Sequence, residues 1–255
     1  MLNPDLEFAL SAADRLGRIA LEYFRTEMRI ERKADDSPVT SADRAAEEEM
    51  RALVRKAYPK DGILGEEFGE VPGESGRRWI VDPIDGTQSF IRGVPLFGTL
   101  IGLEVNGEIV LGVAHLPALD ETIFAAQGQG TWWRRGASPP RSARVSEVPT
   151  LSESVLCATS GPLPHQGAAY EKLRRSIRLE RGWGDCCGHL LVATGRAEIM
   201  VDPAMNVWDC AALYPILREA GGTFTDWKGV PTVHGGEAIS TNGKIFNEVL
   251  GLLRG

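Results

Sequence analysis

The sequence predicts an α+β protein in which an α+β first half is joined to an α/β second half. Three observations carry that expectation. Apolar residues near the N-terminus recur at helical spacing, the middle of the chain offers short apolar runs bounded by Gly, Asn and Pro, and beyond an Arg-, Ser- and Pro-rich stretch at 134–149 short strands and helices alternate. The expected halves are residues 1–145 and 146–255, without repeats or low-complexity tracts.

Taken in order, Leu6, Ala9, Leu10, Ala13, Leu16, Ala20, Leu21 and Phe24 predict a long amphipathic helix from about residue 4 to 28. The polar stretch 29–39, with Asp35-Asp36-Ser37-Pro38, reads as a loop or mobile hairpin that could close over a substrate. A second helix over 41–57 places Ala46, Met50, Leu53 and Val54 on its apolar face. Strands are expected near 62–65, 78–82, 97–105, 108–115 and 121–126. In the second half the pattern predicts a strand at 155–159, helices at 168–176 and 186–194, and a strand at 197–201. A helix over 206–220 closed by Gly221-Gly222, a strand at 223–226 and a last helix over 243–253 complete the chain.

The bulk numbers exclude several classes of function. With a formal net charge of −7 the chain is a poor partner for nucleic acid or an anionic membrane. No apolar run approaches the ~20 residues a membrane helix needs, and the N-terminus has no signal-peptide pattern, so a cytoplasmic protein is expected. Cys157, Cys186, Cys187 and Cys210 fit free thiols in a reducing compartment; a zinc site from Cys186, Cys187, His189 and Cys210 has no usual spacing. Trp132-Trp133-Arg134-Arg135 could suggest a nucleic-acid patch, but in an acidic chain it reads as a strand end with an exposed turn.

The chemistry-bearing segment is Asp82-Pro83-Ile84-Asp85-Gly86-Thr87, which follows the apolar run Trp79-Ile80-Val81. Pro83 cannot extend a ladder, so a turn is expected there, projecting Asp82 and Asp85 toward one point. Two carboxylates at close quarters repel unless a hard divalent cation sits between them, and Mg2+ is the usual choice. Acidic residues also stand beside turns at Gly65-Glu66-Glu67, Trp208-Asp209 and Thr40 to Asp43. Each has a bland alternative: Asp43 could complete a capping box with Thr40, Asp209 could compensate a helix dipole, Glu66 and Glu67 could be solvated, and Asp85-Gly86 could be a plain turn.

Together and in this order, Gly-Glu-Glu, Asp-Pro-Ile-Asp-Gly-Thr, and Trp-Asp opening a helix that ends Glu-Ala-Gly-Gly resemble the inositol monophosphatase family of metal-dependent, lithium-sensitive phosphomonoesterases. The resemblance runs from Ser37-Pro38-Val39-Thr40 to Ile239-Ser240-Thr241-Asn242 and implies a layered α-β-α-β-α sandwich. It also implies that Glu66, Asp82, the carbonyl of Ile84, Asp85 and Asp209 bind two to three Mg2+ ions, with Asp82 bridging two of them. Gly86 and Thr87 would offer backbone N–H groups to the phosphate. Thr87, Asp43 and Glu66 would be catalytic, supporting in-line attack of a metal-activated water on phosphorus. Family likeness further implies a homodimer acting on a small phosphate ester.

The organic part of the substrate should be read elsewhere. Arg181-Gly182-Trp183-Gly184-Asp185-Cys186 puts a carboxylate where inositol phosphatases show a small Gly-Ser/Thr-Ala segment, and Asp202 lies seven residues before Asp209. Two extra carboxylates suit a substrate ammonium or imidazolium better than a neutral polyol. With Gly195-Arg196-Ala197-Glu198-Ile199-Met200-Val201-Asp202-Pro203 and Glu219-Ala220-Gly221-Gly222-Thr223-Phe224-Thr225-Asp226-Trp227, the pattern is similar to the histidinol-phosphate phosphatase branch. That branch implies hydrolysis of L-histidinol phosphate in histidine biosynthesis, with Asp185 and Asp202 as substrate residues. A broad or inositol-1-phosphate-directed phosphatase and a non-catalytic metal-binding scaffold are the alternatives, and Asp185 as a plain helix N-cap is the bland one.

Overall fold

A computed structural model describes residues 3–27, 30–32, 38–159 and 167–254. In chain order the elements are α1 (Pro4–Tyr23), β1 (Ile30–Arg32), β2 (Pro38–Thr40), α2 (Ser41–Ala57), β3 (Gly62–Gly65), β4 (Gly69–Val71), β5 (Arg77–Asp85), α3 (Thr87–Phe90), β6 (Gly98–Val105), β7 (Glu108–Leu116), β8 (Glu121–Ala126), β9 (Thr131–Arg135) and β10 (Arg141–Ala143). A 3₁₀ turn at Leu151–Glu153 leads to β11 (Val155–Ala158), α4 (Gly167–Ser176), β12 (Leu179–Arg181), α5 (Asp185–Ala193), β13 (Ile199–Asp202), α6 (Val207–Ala211), α7 (Leu213–Glu219), β14 (Thr223–Thr225), β15 (Ala238–Thr241) and α8 (Phe246–Arg254).

Strand alternation builds the layers. Val81, Ile101, Leu103, Leu111, Val113 and Phe124 point to one face of an eight-stranded sheet, ordered β10-β9-β8-β7-β6-β5-β3-β4, and pack against Leu6, Leu10, Leu16, Met50 and Val54 of α1 and α2. Their neighbours Leu100, Ala114, Leu116, Ile123 and Ala125 point the other way, onto Cys186 and Leu190 of α5 and Leu213 and Ile216 of α7. The same middle helices pack on Val155, Cys157 and Met200 of a five-stranded sheet, ordered β12-β11-β13-β15-β14. Its opposite face, with Leu156, Ile199, Val201 and Ile239, is covered by Leu173 of α4 and by Val249, Leu250 and Leu253 of α8. Five layers result, α-β-α-β-α, as the resemblance implies. Among the described residues no helix is long and apolar enough to cross a membrane.

Several local expectations are corrected. α1 stops at Tyr23, not near 28, because Phe24 turns out of the helix with extended backbone and packs its ring 4.9 Å from that of Phe97. Residues 29 and 33–37 of the expected loop or hairpin lie outside the described residues; within it, β1 and β2 pair antiparallel. The single helix expected over 206–220 is two, broken at Ala212, since Pro215 has no N–H to give the carbonyl of Ala211 and its ring crowds that carbonyl. The break sits close on the large sheet: a Cβ at Gly112 would lie 2.1 Å from the Ala212 carbonyl oxygen, so only glycine admits this approach. Trp132 to Arg135, by contrast, form the end of a strand, β9, followed by a turn, as the sequence predicts; Arg141 stacks 3.8 Å over Trp133 and Arg134 pairs with Asp14. The short strands β4, β10, β12 and β15 have no sequence signal of their own.

Candidate active site

The chain does not turn at Pro83. β5 continues to Asp85, with a bulge between Asp82 and Asp85 where Asp82 Oδ1 accepts from the Ile84 N–H at 3.0 Å. The Pro83 carbonyl is served instead by the Thr99 hydroxyl, at 2.8 Å. The bulge lets both carboxylates leave the strand toward one place. The turn falls at Gly86, whose φ of 83° is left-handed and where a Cβ would stand 2.9 Å from the Leu96 carbonyl oxygen. Thr87 then opens the single turn of α3, with its hydroxyl donating to the Ile84 carbonyl at 3.0 Å.

Three elements converge on this bulge. α6 packs over β5 and β6 and brings Asp209, the third residue of α6, whose Oδ2 accepts from the Asn206 N–H at 2.6 Å in a capping box. Asp82, Asp85 and Asp209 each place a carboxylate oxygen within 4.8 Å of the others'. β3 runs parallel to β5 with Gly65 opposite Val81, so Glu66, the next residue, comes level with Asp82. α5 ties in through the Cys186 N–H, which donates to Asp85 Oδ2 at 2.6 Å.

Asp185 and Asp202 line the same cavity, of about 170 Å³, as Glu66, Asp82, Asp85, Thr87 and Asp209. Asp185 is not the N-cap of α5; Gly184 is, and Asp185 takes a left-handed φ of 52° as the first helical residue. Its N–H donates to the Thr159 hydroxyl at 2.8 Å, and that hydroxyl donates to Asp202 Oδ2 at 2.7 Å, so Thr159 links the Asp185 backbone to the Asp202 carboxylate. Asp202 Oδ1 accepts from the Ala204 N–H at 3.3 Å.

Burial dominates the electrostatics. It pushes the Asp82 and Asp85 carboxyls well above the ordinary range, and neighbouring charges add to it: Glu66, Asp85 and Asp209 around Asp82, and Asp185 and Asp209 around Asp85. Burial also raises Asp209 to about 7, Asp202 to about 6, and Asp185 above its usual value. Among the described residues that line this cavity none is Lys or Arg. A set of hard oxygen donors that repel one another fits a divalent metal.

Asp43 stands nearby as part of the α2 capping box: its Oδ2 accepts from Thr40 N at 2.8 Å and Thr40 Oγ1 at 2.6 Å. Its Oδ1 is buried without a partner, and burial lifts its carboxyl to about 6. Asp43 and Thr87 share no hydrogen bond in this state. The capping readings of Asp43 and Asp209 are thus both true; Asp209 still lines the cavity, whereas Asp43 is not among the residues that line it. Among the described residues the acidic trio is the one group with metal-holding geometry; Cys186, Cys187 and Cys210 are buried free thiols outside it, and His189 Nδ1 bonds the Ser240 hydroxyl at 2.7 Å. Thr159 and Asn206 are site residues that sequence reasoning missed; the Asn206-x-x-Asp209 capping spacing was a signal for the second, and nothing marked the first.

A family model described as the inositol monophosphatase family matches residues 1–251. The chain belongs to the inositol monophosphatase family. It is 46% identical over 242 residues, 93% of this chain and 92% of the relative, to a protein from Chlorobaculum parvum named histidinol-phosphatase. It is 40% identical to another of that name from Mycobacterium tuberculosis, with 98% of each chain covered. Among solved structures, the extragenic suppressor protein suhB of Bartonella henselae superposes with a TM-score of 0.92 at 30% identity, covering 99% of both chains. As a member of the inositol monophosphatase family, the protein is a phosphoric monoester hydrolase, and its acidic cluster is one that could hold metal.

Proposed function

We propose that the protein is a Mg2+-dependent phosphatase for a phosphomonoester whose organic part is cationic, L-histidinol phosphate above all. The observation that carries this reading is the pair Asp185 and Asp202, joined through Thr159, in the same cavity as the acidic trio. The organic group would leave the phosphate next to two carboxylates, which suit an ammonium and an imidazolium and give a neutral polyol little reason to be preferred. The names of the two similar relatives support the same substrate.

In this reading Glu66, Asp82, the Ile84 carbonyl, Asp85 and Asp209 hold two to three Mg2+ ions, and the backbone N–H groups of Gly86 and Thr87 receive phosphate oxygens. When bound, Mg2+ lowers the pKa of an attacking water and stabilises the departing alkoxide. The residues do the rest. Thr87, its hydroxyl held by the Ile84 carbonyl, orients the nucleophile in line with the ester oxygen. Asp43 takes up proton density through Oδ1, the oxygen left without a partner, and a carboxyl lifted to about 6 is matched to that task near neutral pH. Glu66, whose charge raises the Asp43 carboxyl further, supports the same step.

Turnover of histidinol phosphate and inositol 1-phosphate, each with and without Mg2+, tests the reading. Preference for histidinol phosphate is expected, and Asp185→Asn should raise its KM about tenfold or more while leaving inositol 1-phosphate little changed. Preference for inositol phosphate, with no effect of Asp185→Asn on either substrate, would leave the broad or inositol-directed phosphatase as the better account.

A further inference from the structure

A second carboxylate of α2 reaches toward the site without entering it. Glu47 lies one helical turn after Asp43 on the same face and is fully buried. Its Oε2 accepts from the Glu67 N–H at 2.6 Å and its Oε1 from the Phe68 N–H at 3.2 Å. Arg51, a turn further on, donates Nε to the same Oε1 at 2.8 Å and donates through its other nitrogen to the Gly69 carbonyl. Glu47 and Arg51 therefore grip residues 67, 68 and 69, the turn of the β3–β4 hairpin, whose first residue is Glu66. Gly65 completes the fit: a Cβ there would stand 2.1 Å from Glu47 Oε1, so any larger residue must displace this carboxylate.

An ion pair this deeply buried gains little stability over an apolar pair of similar volume. What it does supply is geometry, two backbone N–H groups and one carbonyl fixed against a helix. We propose that Glu47, backed by Arg51, is a positioning residue that holds the 66–68 turn so that Glu66 stays level with Asp82 and available to metal. The inference rests on the metal-binding reading of Glu66 given above. Supporting partners outside a metal's own ligands commonly set affinity by tenfold or more.

Two variants test it by different routes. Glu47→Gln keeps the shape but removes the charge and one acceptor, and Gly65→Ala keeps the carboxylate but pushes it away. Titration calorimetry with MgCl2 and the melting temperature in EDTA are measured for both, beside wild type and Asp209→Asn. Both variants should fold, bind Mg2+ about tenfold or more weakly, and recover much of their turnover at high Mg2+, a shift in Mg2+ requirement larger than any in kcat. Wild-type Mg2+ affinity in a folded Glu47→Gln or Gly65→Ala protein would overturn the positioning role while leaving the metal site intact. If instead wild type itself binds no Mg2+, the metal reading falls first and this proposal with it. Should Glu47→Gln not fold, Gly65→Ala carries the test alone.

Discussion

Asp209→Asn should make the metal-free protein more stable at the same time as it removes turnover. Asp209 is a carboxyl moved from 3.8 to about 7, chiefly by burial, with the charges of Glu66 and Asp202 adding to it. Such a displacement corresponds to roughly 4 kcal/mol of ionisation cost carried by the folded state. The sign follows from linkage: the folded pKa lies above the unfolded one, so the native state binds more protons between pH 4 and 7, and stability falls as pH rises through that window. Asparagine has nothing to ionise, and its amide oxygen can still accept from the Asn206 N–H. Part of the cost is already relieved in wild type when Asp82 or Asp85 holds a proton, so a gain of about 2 kcal/mol, or roughly 4–8 °C, is expected in EDTA at pH 8. Near pH 4 the gain should vanish. Excess MgCl2 should reverse the order, since ligand at about a hundred times its Kd stabilises wild type by roughly 2.7 kcal/mol and the variant has lost a ligand. Differential scanning calorimetry at the two pH values, with EDTA and with MgCl2, reads all of this. A variant less stable than wild type in EDTA at pH 8, or one whose gain is equal at pH 4 and pH 8, would refute the electrostatic account; full turnover at saturating Mg2+ would refute the role.

Two further outcomes are expected. Gly86→Ala should cost about 1–3 kcal/mol in thermal unfolding and abolish most turnover, since φ of 83° is left-handed and the Cβ would meet the Leu96 carbonyl at 2.9 Å; a variant of wild-type stability would contradict this. Thr159→Val removes the hydroxyl that accepts from Asp185 N–H and donates to Asp202, so KM for histidinol phosphate should rise about tenfold with the Mg2+ requirement unchanged, and equal KM values in steady-state assays would show that the link does not serve substrate binding.

Elements of this fold differ, for physical reasons, in how much of them is encoded locally. α2 was legible to the residue because a threonine cap, an acid three residues on and a helical apolar stripe all agree over 41–57. β3 and β8 are legible because turns rich in Pro, Asp and Gly bracket them. The apolar spacing predicts a continuous helix over 206–220 because it runs through the break, while the local effect of Pro215 and the close sheet below it belong to three dimensions. β15, an interior strand of the small sheet, reads Ala238-Ile239-Ser240-Thr241, which holds no apolar-polar alternation to register.

By itself the sequence determined the kinds of atom available: carboxylates beside turns in three separated motifs, a Gly-Thr turn after them, and two acids outside the motifs. These are local properties, fixed by residue type and spacing. Only the tertiary structure decided that Asp82 and Asp85 leave a continuing strand at a bulge and not at a turn, that α6 carries Asp209 to within 4.8 Å of both, and that Thr159 joins Asp185 to Asp202. It also decided that Glu47, one more acid on an acidic helix in the sequence, closes on the turn bearing Glu66. Those placements depend on strand pairing and helix packing between segments far apart in the chain, and no local pattern encodes which buried carboxylate will meet which partner.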